Sequence, residues 1–285
     1  MSRRGLGAAG WVGLGIVGAF ALMAAAAPWL AQYRVTALAG DPLQAPSLQH
    51  WLGTNSVGQD VASQLVAGAR TSLLVAVIAG GGTVVLGSLV GGVAGWAGGL
   101  ADALAMRVAD VILVVPAVPL LIVIGAYTTP SIGSISVIIA LTSWPGFARI
   151  VRAQVLSLRQ RAHIRAAVGF GATTGRVIRA HIGPALTPVL VAALVGAAER
   201  AIAIEAGLAF LGLGRAGVSW GSAIRDALAF RGLFFTNAWS WWLLPPVLAI
   251  SLVLVGVALV GTAVEERLDP RLARSGRGRL RSRGG

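Results

Sequence analysis

The sequence predicts an all-α, multi-pass membrane protein with about six transmembrane helices and both termini in the cytoplasm. Three observations carry this. The 285 residues are 56% hydrophobic and only 12% charged, with a mean hydropathy of +0.81, whereas a soluble domain of this length needs a larger charged fraction. Charge-free stretches at 5–33, 71–101, 111–148, 180–198 and 232–264 each come near or exceed the roughly 20 apolar residues that cross a bilayer. The arginines are distributed unevenly between alternate connecting segments.

The stretches place helices near 8–30, 71–95, 104–126, 132–151, 186–210 and 240–264. Stretch 111–148 holds two of them, divided at the turn-forming cluster Tyr127-Thr128-Thr129-Pro130-Ser131. With the N-terminus inside, 17 of the 23 arginines fall on cytoplasmic segments and five on external ones, while Arg200 lies in a span. That asymmetry accounts for the net charge of +13 without a nucleic-acid partner. The chain divides into an N-terminal transmembrane helix (1–35), an external segment (36–69), a core (70–272) with a cytoplasmic loop at 152–185, and a basic tail (273–285) suited to anionic lipid headgroups.

Arg3-Arg4, an apolar run and Ala24-Ala25-Ala26-Ala27 imitate a secretory signal. Pro28 follows at once, a poor context for cleavage, so the first helix is expected to be retained. Outside the membrane, 48–69 is expected to form a short amphipathic surface element. Loop 211–239 is expected to be partly re-entrant, because Trp220, Phe230, Phe234 and Phe235 suit an interface. Glycines 87, 91, 95 and 99 share one helix face, a small-residue stripe that lets a second helix approach closely. Pro116 and Pro119 should kink the third helix, and Pro145 should distort the end of the fourth.

All 23 basic residues are Arg, and there is no Cys. The missing Cys excludes disulfides and thiolate metal sites. The missing Lys excludes a Walker A phosphate loop and a Schiff-base lysine. If ATP drives this protein, another chain hydrolyses it. Gly217-Val218-Ser219-Trp220-Gly221 fits the nucleophile-elbow spacing, but that chemistry needs a strand-to-helix turn and an aligned His, and no strand pattern precedes it. No metal site is expected: the only histidines are His50, His163 and His181, on opposite sides of the membrane.

The loop at 152–185 is the most informative segment. A short helix, a glycine break and a second helix would form a protruding knob that transmits movement to both flanking spans. The run Arg165-Ala166-Ala167-Val168-Gly169-Phe170-Gly171 resembles the coupling loop of ABC importer permeases, Glu-Ala-Ala, three residues, then Gly. Ala166, Ala167 and Gly171 match, with His181 and Pro184 further on, whereas Arg165 reverses the charge of the Glu. The run Trp144-Pro145-Gly146-Phe147-Ala148-Arg149 leading into it, His50-Trp51-Leu52-Gly53-Thr54-Asn55 with Gly58-Gln59-Asp60, Glu205-Ala206-Gly207 through Phe210-Leu211-Gly212-Leu213-Gly214, Ser219-Trp220-Gly221 and Leu268-Asp269-Pro270-Arg271-Leu272 resemble segments of the dipeptide, oligopeptide and nickel importer family. They occur in order over residues 48–272 and resemble the second of its two permease chains.

That resemblance implies a type I ABC importer permease fold in a bacterial inner membrane and a non-catalytic subunit translocating peptides. It implies a second, homologous permease chain as heterodimer partner, two ATP-binding subunits or domains that hold ATP and Mg, and an external substrate-binding protein. Arg165, Ala166, Ala167, Gly171, His181 and Pro184 would belong to the ATPase-coupling element, 162–175. A nickel or other small-solute importer stays open within the family. A self-contained channel or secondary transporter is the alternative of another class, although neither needs an ATPase-docking knob. Glu199, Arg200 and Glu205 lie in the fifth span, where ionisable groups face the bundle interior or a water cavity. They are the candidates to line a translocation path, and a buried Glu–Arg pair is the competing reading.

Overall fold

The computed structural model describes residues 7–127, 131–213 and 217–268, the side chains at 117, 118, 121, 125, 126 and 268 excepted. Arg3-Arg4, Thr128-Thr129-Pro130, Gly214, the Asp269–Leu272 element and the basic tail lie outside the described residues. The chain is an all-α membrane protein with helices α1 (Ala8–Ala25), α2 (Ala27–Leu30), α3 (Val61–Ala97), α4 (Gly99–Val114), α5 (Ala117–Tyr127), α6 (Ile132–Arg159), α7 (Ala162–Gly169), α8 (Thr174–Val177), α9 (Gly183–Phe210), α10 (Trp220–Ala229) and α11 (Leu244–Leu268). Ala8–Ala25, Val61–Ala97, Ile132–Arg159 and Trp239–Arg267 are each long and apolar enough to cross a membrane. A π turn, Ile178–Ile182, leads into α9, and another, Trp239–Leu243, leads into α11.

Several boundaries differ from the sequence expectation, each for a local reason. α3 begins ten residues before the expected position 71. The Asp60 carboxylate accepts the Ser63 N–H at 2.7 Å and caps the helix there. Arg70 then sits exposed on a helical turn, so charge-free length understates the helix. The segment expected as an amphipathic element at 48–69 is instead a cap at 48–60 followed by the first turns of α3. Pro116 breaks the third span into α4 and α5, with Val115 extended at ψ 122°, as the residue before a proline prefers. α6 starts at a capping box made by Ser131 and Ser134 and runs through Pro145 to Arg159, eight residues past its expected end at 151.

The glycine stripe finds its partner within this chain. A Cβ at Gly91 would lie 2.2 Å from the Ala148 carbonyl oxygen, and one at Gly95 would lie 2.8 Å from the Arg152 carbonyl oxygen. α3 and α6 therefore pack backbone to backbone, which requires the missing side chains. Gly99 is not part of that contact. With Gly98 it turns the corner between α3 and α4 at φ 67° and 55°, a conformation that favours glycine. α1 packs on α11 in the same way, Gly13 against Gly256 and Leu259, and Phe20 meets the edge of Trp220 at 5.5 Å.

The segment before α3 folds on its own hydrogen bonds. Thr54 and Asp60 form an isolated antiparallel bridge. His50 Nδ1 lies 2.9 Å from Asp60 Oδ1, both side chains buried. A carboxylate only accepts, so Nδ1 carries the proton. Asn55 Oδ1 takes the N–H groups of Val57 and Gln59, and Trp241 Nε1 donates to the Thr54 carbonyl at 3.4 Å. α10 anchors the connection between α9 and α11. Trp220 is fully buried and donates to the Leu65 carbonyl at 2.9 Å. The Ser219 hydroxyl is a helix cap, accepting the Ser222 N–H within a capping box; this gives the Gly-x-Ser-x-Gly spacing its structural role.

Candidate functional site

The knob expected at 162–175 is built as a short helix, a glycine break and a second short helix. α7 ends in a closed turn: Gly171 N–H donates to the Val168 carbonyl and Ala172 N–H to the Ala167 carbonyl, each at 3.0 Å. This is the Schellman arrangement, in which the residue after the cap is left-handed. Gly171 has φ 84°, which explains why that position carries glycine. The Ala166 carbonyl accepts the Phe170 N–H at 2.9 Å. Ala166 is exposed and Ala167 half-buried, leaving the outer side of α7 low in profile.

Ile164 is the one buried residue of α7. It enters a core made by Val151, Val155 and Leu158 of α6, Val177 of α8, Ile182 of the π turn and Leu186 of α9. Apolar packing of this kind is dense and resists compression, so a displacement of α7 is carried into both α6 and α9. His181 lies in the π turn and faces His163 of α7, ring centroids 5.9 Å apart. Pro184 opens α9, where its missing N–H costs nothing.

The same two helices wall a cavity of about 730 Å³. α6 contributes Ser143, Gly146, Phe147 and Ile150, α9 contributes residues from Pro188 to Arg200, and α11 contributes Glu265. Phe147 belongs both to this wall and to the core that holds the knob. Each of the two helices also has an internal proline, Pro145 in α6 and Pro188 in α9. Each proline removes a backbone hydrogen bond and gives the helix a place to bend.

The three ionisable residues of α9, Glu199, Arg200 and Glu205, are not brought together. Arg200 lines the cavity, continuing the row Ala192 and Gly196 at steps of four. Glu199 is half-buried beside it and is not among the lining residues. Glu205 is 3% exposed, and its Oε2 accepts the Ser72 hydroxyl at 2.8 Å, tying α9 to α3. Among the described residues no ion pair joins Glu199 to Arg200 and none engages Arg200 at all. Nor do the described residues hold a group of three or more His, Cys, Asp or Glu able to bind a metal ion.

Sequence reasoning missed Glu265 as a wall residue and missed the ties between α4 and α6. Arg152 Nη2 donates to Asp102 at 2.6 Å, and Arg149 pairs with Asp110. No sequence signal marks these, since the partners are 50 and 39 positions apart.

The chain is similar to known transport proteins. A dipeptide transport system permease protein of Alkalihalophilus pseudofirmus is 37% identical over 266 residues, 92% of this chain and 85% of that protein. An oligopeptide transport system permease protein of Bacillus subtilis is 32% identical over 92% of this chain and 85% of its own length. A probable D,D-dipeptide transport system permease protein of Escherichia coli is 33% identical over 88% and 83%. The family model for the binding-protein-dependent transport system inner membrane component matches residues 84–274. Covering the knob, the cavity walls and more than half of the chain, that match shows that the chain belongs to this family of bacterial inner-membrane transport components.

Proposed function

We propose that this chain is the permease through which a peptide importer passes dipeptides or oligopeptides. It is a non-catalytic, multi-pass subunit of the inner membrane. The family architecture supplies a second permease chain, two ATPase subunits that hold ATP and Mg, and an external substrate-binding protein. The observation that carries the mechanism is that α6 and α9 both wall the cavity and hold the knob through one apolar core. ATPase closure would push on 162–175, including Arg165, Ala166, Ala167 and Gly171. His181 and Pro184 would pass the push to α9, and the cavity would open or close.

Six spans with both termini inside are the reading that best fits the chain: α1, α3, α4 with α5, α6, α9 and α11, with 1–35, 36–69, 70–272 and 273–285 as its parts. The arginine asymmetry supports this orientation, and it places the knob in the cytoplasm and the His50–Asp60 cap outside.

Arg200 is the group we assign to the substrate. A charged side chain in a span costs about 2.5–3.5 kcal/mol on insertion scales, and this one has no ion-pair partner among the described residues. A peptide carboxylate would compensate it, by the paired geometry that guanidinium favours. Glu199 stands next to the path and Glu205 serves as a clasp at its side. The test is ATP-driven uptake by the complex in vesicles, with its binding protein, using peptides with free and amidated C-termini. Arg200→Gln is expected to raise KM at least tenfold for the free acid and to leave the amide unchanged. An equal effect on both overturns the role of Arg200. Absence of ATP-dependent uptake of any peptide by the wild type overturns the peptide reading itself.

A further inference from the structure

The arginines of α6 and those that follow it as far as Arg179 form two groups that the sequence does not distinguish. Those of α6 are held within the chain. Arg149 pairs with Asp110 and Arg152 with Asp102. Arg159 donates to the Trp96 carbonyl at 2.6 Å and lies over the Trp96 ring. Arg161, Arg165, Arg176 and Arg179 of the knob are exposed, and among the described residues no ion pair engages any of them. Residues 111–198 contain no Asp or Glu, so the knob and the helices flanking it as far as 198 carry no acidic residue of their own. Beside them Phe170 is 93% exposed, a large apolar side chain at the tip of a solvated knob.

We propose that the ATPase groove receiving this knob has an acidic rim facing Arg161 and Arg165, around an apolar pocket that takes Phe170. This rests on the coupling role proposed above and adds the chemistry of the partner surface. An exposed apolar side chain in the same short segment as exposed charges of one sign without ion-pair partners is the pattern of a docking site whose partner supplies the opposite sign. Anionic lipid is the competing source of negative charge. With the hydrocarbon edge at the end of the span expected from the sequence, 151, α6 continues eight residues further, up to about 12 Å, past a headgroup layer of roughly 6 Å, which disfavours lipid. The sequence also reverses charge at Arg165, where the coupling loop it resembles carries Glu, so the complementary partner surface is expected to be reversed as well.

The test uses the assembled importer in nanodiscs of neutral phosphatidylcholine, and again with added phosphatidylglycerol. ATPase-subunit affinity and peptide-stimulated hydrolysis are measured across a salt series. Wild-type affinity is expected to fall steeply with salt, and the double variant Arg161→Glu with Arg165→Glu is expected to lose at least tenfold in both lipids. The chain has no Cys, so a single Arg165→Cys gives an unambiguous cross-link to the facing ATPase residue. Reversing that residue to Arg should rescue the Glu variant. A salt-independent affinity unchanged in the double variant overturns the acidic rim and leaves ATPase docking standing. A loss seen only with phosphatidylglycerol assigns the arginines to lipid and overturns the proposal. Phe170→Ala tests the pocket separately: the same drop at every salt concentration supports it, and no drop removes the apolar pocket from the proposal. If wild type retains no ATPase subunit in either lipid, the coupling role fails, and the proposal that rests on it fails with it.

Discussion

The His50–Asp60 cap and the knob are both short segments next to long helices, yet they treat their polar groups in opposite ways. In the cap the His50 and Asp60 side chains are buried against each other, Asp60 also closes the first turn of α3, and Asn55 and Thr54 accept or donate within the same turns. In the knob one apolar residue, Ile164, is buried, and the charged residues point outward with no ion-pair partner among the described residues. A segment that must keep its shape satisfies its own polar groups, because burying one without a partner costs about 1–3 kcal/mol. A segment that must meet another protein leaves them available and keeps only enough core to transmit force.

The sharpest way to break this contrast is at Asp60. Asp60→Ala removes a helix cap, worth about 1 kcal/mol, and leaves the buried His50 N–H without an acceptor, about 1–3 kcal/mol more. A total loss of about 3 kcal/mol is expected, read as a lower melting temperature of the purified complex. Asp60→Asn keeps one acceptor and puts an NH2 donor in the other place, so it should recover only part of the loss. Arg165→Gln in the knob should leave the melting temperature where it is.

A smaller effect on stability, with a larger one on transport, is expected at Gly171. The space around its Cβ position is open, so Gly171→Ala meets only the left-handed backbone, which costs about 1–2 kcal/mol. Membrane levels should be normal while uptake falls several-fold. Gly171→Asn, which tolerates that conformation better, should lie between. Equal uptake by Gly171→Ala and wild type at equal expression would show that the α7 terminus is not part of the coupling.

The least effect is expected between the two regions, at Asp102. The Arg152–Asp102 pair is part-exposed, 34% and 17%, and such pairs contribute about 0.5 kcal/mol. Asp102→Asn should therefore lower stability slightly, and less at high salt. A loss of several kcal/mol would mean that the α4–α6 ties hold the bundle as firmly as the His50–Asp60 cap does.

Much of the site was legible before the fold. Gly171 as a break, the two short helices around it, and the small-residue face at 87, 91 and 95 follow from local spacing, and the structure gives each a stated partner or dihedral. The start of α3 was not legible, because Arg70 interrupts the apolar stretch without interrupting the helix. Spacings of three and four put Glu199 on a face with Ala192, Gly196 and Ala203, but adjacent residues on a helix differ by about 100° in direction, and the packing of α6 against α9 puts Arg200 rather than Glu199 in the cavity wall with Ala192 and Gly196.

Membrane residence, the uneven spread of arginine along the chain and the short-helix, glycine, short-helix form of 162–175 were determined by the sequence alone. Hydrophobic length and charge add up residue by residue along a chain, whatever it folds against. Which arginines are neutralised and which remain open was decided only by the tertiary structure. Arg149 and Arg152 take carboxylates 39 and 50 residues away, and Arg159 takes a carbonyl 63 residues away. Those partners exist only because three glycines let α3 and α6 close together and bring α4 beside them.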